Sequence, residues 1–358
     1  MNVIFLLSLS LTLYGLLAWA FRVLPRERWQ ILAAIPRSTE TGDEWAGVNL
    51  TWYGFFSATA YFASAAVYLV LMGAVGASRT ASVAIMAGIL GIAIPASRWV
   101  ARIVERKKET FSVGGAVFVT TLSAPVVVLV LPHWVGPDGL GAPALAVFAA
   151  LVTAYTLGEG LGRLACISFG CCYGQPVGEM NPFWRALFRG RSFTFRGRTK
   201  KISFASQLEG VPVAPVQAVT SLLYVTCALV SIALFLQGFF LAAFLLSLTV
   251  SQLWRAYSEF LRADYRGEGR ISAYQKMAIV ATAYSWVWVF GWQLFGSAGS
   301  LGSTLPSIAE GLSLLWNPTI LVILEALWLG MFFYTGWSRV TGARLTFHVV
   351  RNKVEETW

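Results

Sequence analysis

The chain reads as an all-α polytopic membrane protein with about nine transmembrane helices. Three observations carry that reading. Only 12% of its 358 residues are charged and 57% are hydrophobic, whereas a soluble domain carries about 25% charged residues. Nine apolar runs approach the ~20 residues that a helix needs to cross a hydrocarbon core. Lysine and arginine also sort to one side of the alternating path that nine spans would trace. Run length, and the lack of sustained two-residue alternation, favour helices over barrel strands.

The first run, residues 2–21, has nothing basic before it. Arg22, Pro25, Arg26 and Arg28 follow it, with no small-residue cleavage site. It therefore predicts a retained span and not a signal peptide. Runs at 52–76, 80–97, 112–132 and 142–164 come next, then 213–236, 237–254, 277–296 and 319–338. The shorter ones are also compatible with re-entrant segments. No long linker, low-complexity tract or internal repeat interrupts them, so the chain reads as one polytopic unit.

The connecting segments 22–51, 98–111, 163–212, 255–276 and 339–358 fall on one side and hold 26 of the 27 Lys and Arg residues. Only Arg79 falls on the other side. Positive loops stay in the cytoplasm, which predicts the N-terminus outside and this basic face inside. Within the face, segment 184–201 interleaves Arg with Trp and Phe, as interfacial segments do against acidic headgroups. That points to an anionic phospholipid as partner. The basic stretches are short and flanked by spans, which excludes nucleic acid.

Cysteine usage points away from a secreted scaffold. Cys166, Cys171 and Cys172 cluster and Cys227 lies in mid-span, with only His133 and His348 to complete a metal site. Neither a disulfide framework nor a metal centre is expected, and no cofactor.

Polar groups interrupt the apolar pattern at four places on the basic side. Trp52-Tyr53-Gly54 opens the second span and Gly114-Gly115 opens the fourth. The stretch from Glu159 to Gly174 ends the fifth, and Ser251–Arg262 ends the seventh. Glu159 and Arg163 are spaced i, i+4 in the favourable order for a pair. A charge in mid-span costs roughly 2.5–3.5 kcal/mol, so each needs a reason. Arg255, Glu259 and Arg262 share one helical stripe, again with an i, i+4 pair. The guanidinium fork matches phosphate bidentately. There are plainer readings too. Arg163 and Arg255 could be snorkelling anchors, and Trp52 and Tyr53 aromatic-belt residues. Gly158, Gly160 and Gly162 fit close helix approach, and Cys171-Cys172 fit small-residue packing at a helix mouth.

In order and content these segments resemble the prolipoprotein diacylglyceryl transferase family over about residues 52–280. Trp52–Gly54 matches a Trp-Tyr-Gly helix opening. Val113-Gly114-Gly115 matches part of a Phe-His-Gly-Gly opening. Gly162–Gly174 aligns without gaps on the family signature, Gly-Arg-x-Gly-Asn-Phe-x-Asn-Gly-Glu-x-x-Gly. Ala214-Pro215-Val216-Gln217 corresponds loosely to a His-Pro-x-Gln segment, and Arg255, Glu259, Phe260 and Arg262 to an Arg-x-x-x-Glu-Phe-x-Arg close.

The resemblance implies a membrane transferase of the bacterial plasma (inner) membrane. It would move a diacylglyceryl group from phosphatidylglycerol to the cysteine thiol of a lipoprotein precursor. Arg163, Arg255 and Glu259 would be catalytic: the arginines would hold the phosphate as it leaves, and Glu259 would orient Arg255. The substrate would lie against Trp52, Tyr53, Gly54, Gly114, Gly115, Cys166, Gly170, Cys171, Cys172, Tyr173, Gly174, Gln217 and Arg262. The implied organisation is an extra span and basic connecting loop at 1–51, a transferase-like core at 52–296 with a basic loop at 170–212, and an extra span and basic tail at 297–358.

The chain departs from the family at Val113, Cys166 and Cys171, where the family has His, Asn and Glu. The base is then Cys171, Cys172 or Tyr173, or the acceptor arrives ionised, or the classical activity is absent. A non-catalytic lipid-binding or lipid-moving protein, or a transferase with a different acceptor, is the alternative. The family's site faces outward, whereas the charge bias turns this face to the cytoplasm.

Overall fold

The computed structural model describes residues 1–41, 44–105, 111–135, 139–263, 271–295, 305–337 and 346–348. α1 (Asn2–Val23) leads through a 3-10 turn at Glu27–Trp29 into β1 (Ile31–Thr41) and β2 (Glu44–Thr51). Four long helices follow: α2 (Trp52–Ala74), α3 (Arg79–Glu105), α4 (Val113–Val135) and α5 (Ala144–Phe169). The basic segment after α5 folds into α6 (Pro182–Phe188), β3 (Phe193–Thr194), α7 (Lys201–Ser206) and β4 (Pro212–Val213). The chain continues through α8 (Val216–Leu236), α9 (Phe240–Ser258), α10 (Ala273–Phe295), α11 (Ile308–Leu315), α12 (Pro318–Gly336) and β5 (Thr346–His348).

Each of the nine apolar runs lies on a helix. Among the described residues, eight of these helices are long and apolar enough to cross a membrane: α1 to α5, α8, α9 and α12. The architecture is that of a polytopic helical membrane protein. α10 covers the remaining run.

Local chemistry sets the ends. Thr51 caps α2, its hydroxyl accepting from Gly54 N at 3.4 Å and donating to Gly336 O at 2.9 Å. Asn317 caps α12, with Pro318 in the first turn, where its missing N–H costs nothing. Pro95 lies inside α3 and Pro125 and Pro132 lie inside α4, as membrane helices tolerate when neighbours satisfy the freed backbone.

α5 is the central helix, packing on α2, α8 and α9, while α3 pairs with α4 and α10 with α4 and α9. Small hydroxyls fasten the centre: Ser64 Oγ donates to Ala154 O at 2.8 Å and Ser221 Oγ to Gly160 O at 2.7 Å. α12 packs along α2, and Glu325 of α12 is on its exposed face.

The sheet at the basic end corrects the expectation of a plain connecting loop at 22–51. β1 and β2 form an antiparallel hairpin and β5 adds to β2, in the order β1-β2-β5. Register shifts break the β1–β2 ladder at three places, and Pro36 and Gly47 fall inside these strands. Both residues argue against a strand when read locally. Most of the basic tail, 338–345 and 349–358, lies outside the described residues.

The connections gather at two ends. Asn2 Nδ2 donates to Pro306 O, and Ser78 N to Leu140 O, at the end poor in basic residues. At the other end Gln30 pairs with Thr199, Arg196 N donates to Pro25 O, and Gly174 bridges to Arg262.

Candidate functional site: two arginines on one buried carboxylate

Tyr155, Glu159, Arg163 and Cys166 follow one another at helical spacing along one stripe of α5. Gly158 and Gly160 lie beside the stripe, and a side chain on either would strike Ser64 or Tyr224. The absence of side chains there lets α2 and α8 close on α5. α9 brings Arg255 and Gln252 to the same place. Oε1 of Glu159 accepts from both Arg163 and Arg255, and Oε2 accepts from Tyr155. Arg255 also donates to the Tyr155 hydroxyl at 3.3 Å, and Gln252 reaches it at 3.5 Å. The carboxylate is 4% exposed and the two arginine side chains 14% and 11%.

Burial this deep makes the charges interdependent. A desolvated ion pair is tolerable only with good geometry and extra hydrogen bonds, and losing one partner strands the other. Two guanidiniums against one carboxylate leave the cluster with one net positive charge. The Nε of Arg163 and of Arg255 are both buried without a hydrogen-bond partner. The cluster therefore has donors and positive charge to spare, which suits a further anion.

Beside it is a cavity of about 350 Å³. Its polar end is lined by Tyr53, Glu159, Arg163, Cys166 and Tyr334, and its body by Met86, Leu90, Phe148, Leu151, Phe244 and Leu248. Tyr53 and Tyr68 both line it, fifteen residues apart on α2, which at 1.5 Å per residue is about 22 Å along the helix. That is about three-quarters of a ~30 Å hydrocarbon core. A cavity charged at one end and largely apolar along the rest matches an amphiphile.

α5 ends where Gly170 turns left-handed at φ 71°, and a Cβ there would press on Lys200. Cys171 N returns to Cys166 O at 3.0 Å, and Gln217 Nε2 holds Cys171 O at 2.8 Å. The sulfurs of Cys166, Cys171 and Cys172 lie within 4.8 Å of one another. Hydrogen bonds to Cys166 and Cys172, with burial, push the Cys171 thiol well above its ordinary pKa. At neutral pH it stays protonated, so it is poorly placed to act as the base.

The other expected residues separate into groups. Gly114 sits beside the cluster, where a side chain would meet Arg255 Nη1 at 3.3 Å. Tyr53 reaches the cavity and packs edge-on against Phe169 at 5.8 Å. Trp52 is part of an aromatic group with Trp29, Phe55 and Phe56. Gly54 abuts Gly336, Gly115 abuts Val100 and Gly174 abuts Ala214, all as packing contacts. The buried Tyr173 shares a hydrogen bond with Ser206, and Arg262 bridges to Gly174 through its backbone. Gln217 keeps a buried, unpartnered Oε1.

The expected pairing of Glu259 with Arg255 is corrected. α9 ends at Ser258 and Glu259 opens a 3-10 turn, so the four-residue stacking is lost. Among the described residues Glu259 accepts from Ser272, and Glu159 is the carboxylate that orients Arg255. Tyr155 and Gln252 were missed by the sequence reading. Tyr155 continues the Glu159–Arg163 spacing one turn earlier, a signal that was available.

Lys200 is a different kind of omission. It is fully buried, with Nζ donating to Leu24 O at 3.1 Å and Ser168 O at 2.6 Å. Burial lowers its pKa to about 7. This lysine of the basic segment ties the end of α1 to the end of α5 instead of facing headgroups.

No family model matches the chain, and no curated protein or solved structure proves similar to it.

Proposed function

We propose that this protein is a membrane transferase that takes an anionic phospholipid, phosphatidylglycerol or a relative, into the cavity and passes its diacylglyceryl group to an acceptor. The observation that supports this most is the Arg163–Glu159–Arg255 cluster, of which Glu159 and Arg163 line the charged end of a long, largely apolar cavity. An acyl chain suits the apolar body and a phosphate suits the guanidiniums. By the family resemblance the acceptor is the cysteine thiol of a lipoprotein precursor.

In this reading the acceptor sulfur attacks the glyceryl carbon and the carbon–oxygen bond to phosphate breaks. The electron pair leaves on glycerol phosphate. Arg163 and Arg255 stabilise that growing charge, and preorganised cations do this best where water is excluded. The departing diester becomes a monoester with a second pKa near 6. It can therefore carry away the thiol proton, which offsets the missing histidine at position 113. Glu159, hydrogen-bonded to both guanidiniums, orients the arginines.

Purified protein incubated with labelled phosphatidylglycerol and a thiol peptide is expected to release glycerol phosphate and form a thioether-linked lipid. Arg163→Lys keeps one charge and loses the fork, so turnover should fall roughly 10²–10³-fold, while Arg189→Lys in the basic segment should change little. Bound phospholipid without released glycerol phosphate, or equal small effects at both positions, would replace the transferase with a lipid-binding or lipid-moving protein.

A further inference from the structure

We propose that Cys166, Cys171 and Cys172 form a three-thiolate site for one soft metal ion, Cu(I), at the end of α5. The three sulfurs lie within 4.8 Å of one another. Metal–sulfur bonds of about 2.3 Å place sulfurs around one ion about 4 Å apart. Side-chain adjustments under an ångström therefore close the site. Among the described residues no His, Asp or Glu joins the group. Structural zinc takes four protein ligands, whereas a set of three soft donors suits monovalent copper.

The backbone holds these sulfurs together. Gly170 reverses the chain, and Cys172 takes φ 58°, a conformation unusual for a residue with a side chain. Gln217 fastens the carbonyl of Cys171 from α8. Three thiolates with one Cu(I) carry two net negative charges, and Arg163 is within electrostatic reach of Cys166 and Cys172 to offset them.

Without metal the three are thiols, none bridged in a disulfide. Binding replaces three S–H bonds by three Cu–S bonds and releases three protons, with no change of oxidation state. Affinity therefore falls in acid. The ion would pin the turn after α5 and take its thiols out of any covalent chemistry. This inference does not rest on the lipid-transfer reading, and either can fail alone.

The test uses the full chain in detergent under anaerobic, reducing conditions, titrated with Cu(I) against a chromophoric chelator. One ion per chain is expected, with ultraviolet sulfur-to-copper absorption. Cys166→Ser, Cys171→Ser and Cys172→Ser should each weaken binding by more than ~100-fold, beyond the ~10–100-fold typical of a supporting residue. Cys227→Ser should leave it unchanged. A second readout needs no variant. Cu(I) should protect Cys166, Cys171 and Cys172 of the native chain from alkylation, read by mass spectrometry, without changing the labelling of Cys227. No uptake would overturn the site, as would uptake undiminished in the triple serine variant, or Zn(II) displacing Cu(I).

Discussion

Glu159 holds more of this molecule together than its spacing to Arg163 suggests. It is a carboxylate shared by cations from two helices, and Tyr155 caps its other oxygen. Glu159→Gln leaves two buried guanidiniums with a neutral amide, and breaking a buried pair in this way costs about 3–5 kcal/mol. The variant should melt well below the parent in detergent, and Tyr155→Phe should cost less because it removes one hydrogen bond. If Glu159→Gln melts with the parent, the cluster is not holding α5 to α9. Lys200 offers a pH-dependent test. Its ordinary pKa of 10.5 drops to about 7 in the fold, so between these values the unfolded chain binds a proton that the native one refuses. Stability should rise with pH from about 7 to about 10.5 at up to ~1.4 kcal/mol per unit, and the gain should be lost as pH falls toward 7. Lys200→Met should flatten that slope in thermal melts taken across the window. An unchanged slope would assign it to other groups.

At the scale of the elements, the crossing of α2 and α12 is set by an absence of side chains. A Cβ at Gly54 would stand 2.2 Å from Gly336 Cα, closer than any rotamer change can relieve. Gly54→Ala should therefore force the helices apart and cost about 1–3 kcal/mol as overpacking. Gly91→Ala, on an exposed face of α3 with nothing within 4 Å, should be neutral or mildly stabilising by helix propensity. Melting curves of the two variants distinguish a packing role for Gly54 from a substrate-binding one. A Gly54→Ala protein as stable as the parent but impaired in lipid turnover would restore the binding role. The long apolar helices were legible because apolar runs of this length have few alternatives in a membrane. The hairpin of β1 and β2 was not, since its irregular register and internal proline erase the two-residue alternation by which strands are read.

For the whole molecule, the basic end sets the orientation expected in the membrane. Charge bias expects that end in the cytoplasm. Impermeant thiol labelling of intact cells, compared with the parent chain, should then miss Arg189→Cys and reach Trp316→Cys at the opposite end. A cytoplasmic site cannot meet exported precursors, so this result would move the proposed acceptor to a cytosolic thiol. Labelling of Arg189→Cys from outside would refute the charge-bias orientation and leave the lipoprotein acceptor in place.

By itself the sequence determined that this is a helical membrane protein, where its long apolar helices run, that most of its described cations gather at one end, and that Glu159 pairs with Arg163. These follow from composition and local spacing, which act over a few turns of chain. Only the tertiary structure decided that Arg255 turns to Glu159 instead of Glu259. Only it decided that Lys200 is buried, and that three cysteines meet in space. Those outcomes depend on where α9 stops being helical and on how tightly α5 lets its neighbours approach, and both are settled by packing between segments far apart in the chain.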